Sequence, residues 1–79
     1  MKFEKYIGEW SQIEEAKLNG KTYGLWENDK YGSDAPNIIT EEGKVIIDDS
    51  YNGLAIDLGD YLDMDYDTVA KYVKDDWNE

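Results

Sequence analysis

The chain has 79 residues, with 19 acidic side chains against eight lysines, a net charge of −11, and no arginine, cysteine or histidine. This composition excludes a disulfide scaffold, a zinc site built on Cys or His, and the basic surface that phosphate contacts require. No apolar run approaches the roughly 20 residues that span a bilayer, and an anionic membrane surface repels such a chain, so neither nucleic acid nor membrane is an expected direct partner.

The length predicts a single domain over residues 1–79, with a core drawn from aliphatic and aromatic residues alone. The N-terminus, Met1 to Lys5, carries no apolar stretch of signal-peptide type. Phe3, Ile7 and Trp10 fall at helical spacing and predict a short helix over about Phe3–Trp10, which Gly8 weakens. Asn19-Gly20 is the strongest local signal, because it suits a type I′ turn in which both central residues take positive φ. Its flanks, Ile13 to Leu18 and Lys21 to Trp26, read as the arms of a hairpin. Asn28–Pro36 has the composition of a loop. Asn37 to Thr40 and Lys44 to Asp48 read as a second hairpin across Glu41-Glu42-Gly43, with Gly43 left-handed.

Two helices are expected beyond it. Leu54, Leu58, Tyr61 and Leu62 share one helical face, with Ser50 or Asn52 available as a cap, and an extended segment through Leu54, Ile56 and Leu58, flanked by Gly53 and Gly59, competes with it. Tyr66, Val69, Val73 and Trp77 share another, with Asp65 or Asp67 at the positive end of the dipole. The expected fold is therefore α+β: a small antiparallel sheet of two hairpins, covered by an N-terminal helix and a C-terminal helical pair.

Charge is distributed unevenly. Ile46–Glu79 holds ten acids and two lysines, a net −8, and the remainder is only −3. Tyr51, Tyr61, Tyr66, Tyr72 and Trp77 are interleaved with those acids. Carboxylates attract a basic surface over distance, and Tyr or Trp then anchors on it. The bland alternative is that these tyrosines cover the sheet with their rings and leave the hydroxyls wet; a tyrosine can do both.

Other chemistries fare worse. Asp63, Asp65 and Asp67 open like a calcium loop, but Thr68 stands where glycine is needed and Lys74 where a bidentate Glu is needed, so solvated and capping acids fit better. Leu58–Val73 superficially resembles a helix-turn-helix, yet Asp57, Asp60, Asp63, Asp65 and Asp67 would face or flank a phosphate backbone. Without His or Cys the usual nucleophile–base pairs are missing, and a pair such as Asp48/Asp49 reads as solvated surface, so no enzymatic activity, metal or cofactor is expected. An Asp57–Asp60 pair one helical turn apart, prolonged by Asp63 and Asp67, approximates a row of backbone phosphates in charge and rough spacing.

In its length, its Asp-rich segment Asp57–Asp67, the tyrosines within that segment and its lack of Cys and His, the chain resembles the small acidic proteins that phages and mobile elements encode against host defences, anti-CRISPR proteins and other DNA mimics among them. It keeps eight lysines, unlike the most acidic mimics. The resemblance implies an inhibitor in the cytoplasm of a bacterial host, docked on a nucleic-acid-processing protein and occluding its DNA or guide-RNA channel. The expected partner is thus a basic protein, such as a nuclease or CRISPR effector, and the partner-binding residues are Asp57, Asp60, Asp63, Asp65, Asp67, Tyr51, Tyr61 and Tyr66. Two alternatives use the same composition: an immunity protein for a nuclease toxin, and a small accessory module that oligomerises through its aromatic surface.

Overall fold

The computed structural model describes residues 8–32 and 34–75. Five antiparallel strands form one sheet: β1 (Trp10–Leu18), β2 (Lys21–Asn28), β3 (Asn37–Glu41), β4 (Lys44–Ser50) and β5 (Val73–Asp75). Their spatial order is β4-β3-β2-β1-β5. Two helices, α1 (Leu54–Leu62) and α2 (Tyr66–Ala70), lie between β4 and β5 in the chain.

The two tight turns follow from local chemistry. Asn19 and Gly20 both take positive φ, at 52° and 79°, and Glu42 and Gly43 do the same, at 50° and 82°. Paired left-handed residues match the twist of the flanking strands. Glu42 also extends the β2–β3 pairing: its backbone N–H donates to the Thr22 carbonyl at 2.8 Å, and its carboxylate accepts from the Thr22 N–H at 3.1 Å.

Two expectations fail. The first is the N-terminal helix: Trp10 opens β1 opposite Asn28, and Gly8 sits at φ 98°, outside helical space. The part of that prediction on Phe3–Ile7 lies outside the described residues. The second is the long closing helix. It stops at Ala70, and Val73–Asp75 instead pair with Glu14–Ala16 of β1. Val73 and Tyr72 are β-formers whose helical spacing is equally compatible with a strand, and the open edge of β1 decides between the two. Trp77, the last residue of that predicted face, lies outside the described residues. The sheet is thus larger, and its helical cover smaller, than two hairpins under three helices.

Strand alternation divides the apolar residues between the two sheet faces. Ala16, Leu18, Tyr23, Leu25 and Ile39 meet Leu54, Leu58 and Val69 of the helices in the main core. On the opposite face, Trp10 and Ile38 pack with Trp26 and Val45. Gly24 makes room for that second cluster, since a Cβ there would lie 3.0 Å from the Trp26 indole nitrogen. The same nitrogen donates to Thr40 Oγ1 at 2.9 Å.

Tyr23 is 2% exposed and donates its hydroxyl to Glu41 Oε2 at 2.8 Å. Burial, and then this hydrogen bond, push the phenol up to about 12 from its ordinary 10.0. The neutral form is favoured by folding, so its contribution is fully present below pH 10 and is lost as pH rises towards 12. A shift of this size corresponds to about 2–3 kcal/mol. Urea unfolding of wild type and Tyr23→Phe at neutral and at alkaline pH should show the wild type losing that much more than the variant; parallel losses would refute the assignment.

Candidate functional site

All eight residues expected to bind a partner lie in the β4–α1–α2 segment, but the structure gives them different jobs. Asp57 is occupied. Its carboxylate accepts from Ser50 Oγ at 2.6 Å, from the Asn52 backbone N–H at 3.1 Å and from Asn52 Nδ2 at 3.2 Å. The backbone N–H of Tyr51 contributes as well. Partial burial pushes this carboxyl up, but the donated hydrogen bonds outweigh that effect and hold it below its ordinary value. Ser50 and Asn52 thus serve α1 by holding Asp57 and not by capping its first turn, and the cap position itself is Gly53, at φ 95°.

A second carboxylate completes the junction. Register shifts between Gln12 and Glu14, so that Gln12 stands opposite Trp26 and Glu14 opposite Leu25. This β-bulge re-aims Glu14 towards the helical side of the sheet. There its Oε1 accepts from the Leu54 N–H, the first of α1, at 3.3 Å. Two carboxylates therefore sit at the positive end of the α1 dipole, where negative charge is stabilising.

The remaining acids are exposed. On α1, 100° per residue places Ile56, Asp60 and Asp63 on the side opposite Leu54 and Leu58, and all three are exposed while the two leucines are buried. Asp63 ends α1 in the left-handed conformation at φ 57°, Asp65 stands at the N-cap position of α2, and Asp67 lies in its first turn. Tyr66 is 57% exposed, Tyr61 53% and Ile56 42%, so each ring or side chain is available to a partner. Asp60, Asp63, Asp65, Tyr66 and Asp67 are thus exposed within an eight-residue run that holds no basic residue, and Tyr61, exposed as well, flanks the leucine side of α1. Tyr51, 72% exposed, belongs elsewhere. It precedes the start of α1, and the acidic run begins at Asp60, about 9 Å further along that helix by its rise.

Helix electrostatics separates these acids further. Asp65 and Asp67 lie at the N-terminal end of α2, where carboxylates favour the local structure. Asp60 and Asp63 lie at the C-terminal end of α1, whose last turn holds no basic residue. Negative charge there opposes the dipole. Asp63 has a conformational reason for its place, since Asp tolerates the left-handed region. Asp60 has no such reason in the fold.

Sequence reasoning missed Ile56, whose i, i+4 relation to Asp60 was a usable signal. It also missed the gathering of Lys17, Lys71 and Lys74 about one cleft, because Lys17 is far from the other two along the chain. Among the described residues, no three acidic side chains gather as a metal site. With five residues, α2 is too short to serve as a recognition helix.

A family model described as large polyvalent protein-associated domain 18 matches residues 1–75. The chain belongs to that family, a domain associated with phages and mobile elements. No curated protein and no solved structure matches it.

Replacing Asp57 by Ala should lower stability by about 1–3 kcal/mol at neutral pH, because the buried Ser50 hydroxyl loses its acceptor and the junction loses the bonds from Asn52. The carboxylate's contribution is fully present above its ordinary value of 3.8 and is lost as pH falls through its lower folded value. Urea unfolding at pH 7 and near pH 2 should show the gap between wild type and Asp57→Ala closing in acid; an equal gap at both would refute this role.

Proposed function

We propose that this chain is a non-enzymatic binding domain that docks on a basic, nucleic-acid-binding protein and blocks its nucleic-acid site by charge mimicry, in the manner of anti-CRISPR and other DNA-mimic proteins. The observation that carries the reading is the exposed, lysine-free run in which Asp60, Asp63, Asp65 and Asp67 are interleaved with the exposed Tyr61 and Tyr66, with Asp60 set against the α1 dipole. Carboxylates steer a basic partner, and the tyrosines supply desolvated contact area. Ile56 continues the patch with an apolar contact. Asp57 drops out of the docking set because its oxygens already accept hydrogen bonds within the chain, and Tyr51 is a peripheral contact at most. Membership of a family associated with phages and mobile elements is compatible with a partner in a bacterial host, such as a nuclease or CRISPR effector.

The family description is compatible with a second reading, a small accessory module; in this reading it oligomerises through its aromatic surface. That reading predicts a concentration-dependent dimer by light scattering with no basic partner required.

The test uses a tagged chain as bait in a defence-bearing bacterial lysate, followed by quantitative binding to the basic protein retained. Asp60→Asn with Asp63→Asn should weaken that binding at least tenfold and flatten its salt dependence, while raising the urea midpoint slightly by relieving the dipole conflict. Saturating the partner with its own nucleic acid should abolish the interaction. Undiminished binding to a nucleic-acid-loaded partner would end the mimicry reading.

A further inference from the structure

A cleft of about 280 Å³ opens beside the short β5 strand, lined by Glu15, Ala16, Lys17, Lys71, Tyr72 and Lys74. Its origin is topological. β5 pairs with β1 only from Glu14 to Ala16, and the chain then turns away, the Tyr72 N–H bonding the Val69 carbonyl at 3.0 Å. Lys17 on β1 and Lys71 at the end of α2 both line the gap.

The charge of this cleft is opposite to that of the molecule. Three of the chain's eight lysines line it, against one carboxylate, a net +2 on a chain of net −11. All three are exposed, and none of them makes an ion pair with another described residue. Ammonium groups on one small concavity repel each other, so an anion that neutralises them binds favourably. Lysine presents compact, mobile point charges, and several of them together suit a small anion that carries two charges, as phosphate does. Pockets for drug-sized ligands run from about 300 to 1,000 Å³, so this cleft suits something smaller. The half-exposed ring of Tyr72 offers a flat surface to whatever the anion carries.

We propose that the cleft between β1 and the α2–β5 turn is a binding site for a phosphate dianion, held by Lys17, Lys71 and Lys74, with Tyr72 contacting an attached organic group where there is one. The site uses none of the acidic residues named above and does not depend on the partner-blocking function.

Two probes distinguish the sources of the phosphate: inorganic phosphate and adenosine monophosphate. Each is titrated into the isotope-labelled chain against sodium chloride of matched ionic strength, with NMR reading the lysine side chains and the Tyr72 ring. Saturable shifts confined to Lys17, Lys71, Lys74 and Tyr72 are expected. If both probes produce them, the site reads the phosphate itself; if only the monophosphate does, the group on Tyr72 is required. Lys71→Gln with Lys74→Gln should weaken binding by about tenfold or more. Lys17→Gln, on the other wall, should weaken it independently and leaves β5 untouched. Shifts spread equally over Lys21 and Lys44, shifts reproduced by chloride, or binding within twofold of wild type in both variants would overturn the proposal.

Discussion

The junction between β4 and α1 is the constraint on which the rest of the structure depends. Only one face of the sheet carries the helices, and the helices reach it through Ser50, Tyr51, Asn52 and Gly53. Those residues leave polar backbone groups that must be satisfied as Leu54 enters the core. Asp57 takes the donors from Ser50, Tyr51 and Asn52, and Glu14 takes the first helical N–H. With the junction held, Leu54 and Leu58 are placed over Tyr23, Leu25 and Ile39, and the opposite side of α1 is turned to solvent. The acidic patch owes its position to this arrangement.

The acids of this segment consequently fall into three groups. Asp57 builds the fold. Asp65 and Asp67 suit the start of α2 and are also available to a partner. Asp60 and Asp63 oppose the end of α1 and serve no local purpose that the fold requires, save the tolerance of Asp63 for its left-handed backbone. A count of carboxylates treats all of these as equivalent mimics of phosphate, whereas their hydrogen bonds and their positions on the helix dipole do not. The lysines are partitioned too. Lys71 and Lys74 follow the acidic run in sequence and, with Lys17, line the cleft beside β5. The domain thus presents an acidic, aromatic surface on its helices and a basic cleft at its β5 edge.

Much of the local structure was legible in the sequence, and most of the long-range structure was not. Asn19-Gly20 and Glu42-Gly43 specify their turns within four residues, and the apolar face of α1 follows from the spacing of Leu54 and Leu58. The β1 bulge has no local signature, because it is the need to satisfy Leu54, 40 residues away, that rewards Glu14 for changing face. β5 was hidden for a related reason: Val73 fits helical and strand periodicity alike, and only the unpaired edge of β1 selects the strand. Of the candidate site, the contiguous run from Asp60 to Asp67 was readable from composition. The internal role of Asp57 was not, because Asp at that spacing looks the same whether its oxygens face water or Ser50.

Native-state hydrogen exchange on wild type and Asp57→Asn tests the central claim most directly, since it reads α1 and the sheet separately. If Asp57 holds the helical layer, the variant's amides from Asn52 through Leu62 lose protection through a local opening, while those of β1, β2 and β3 keep theirs. Equal protection of α1 in both proteins would mean that core packing alone holds the helix, and that the junction is not what positions the acidic surface.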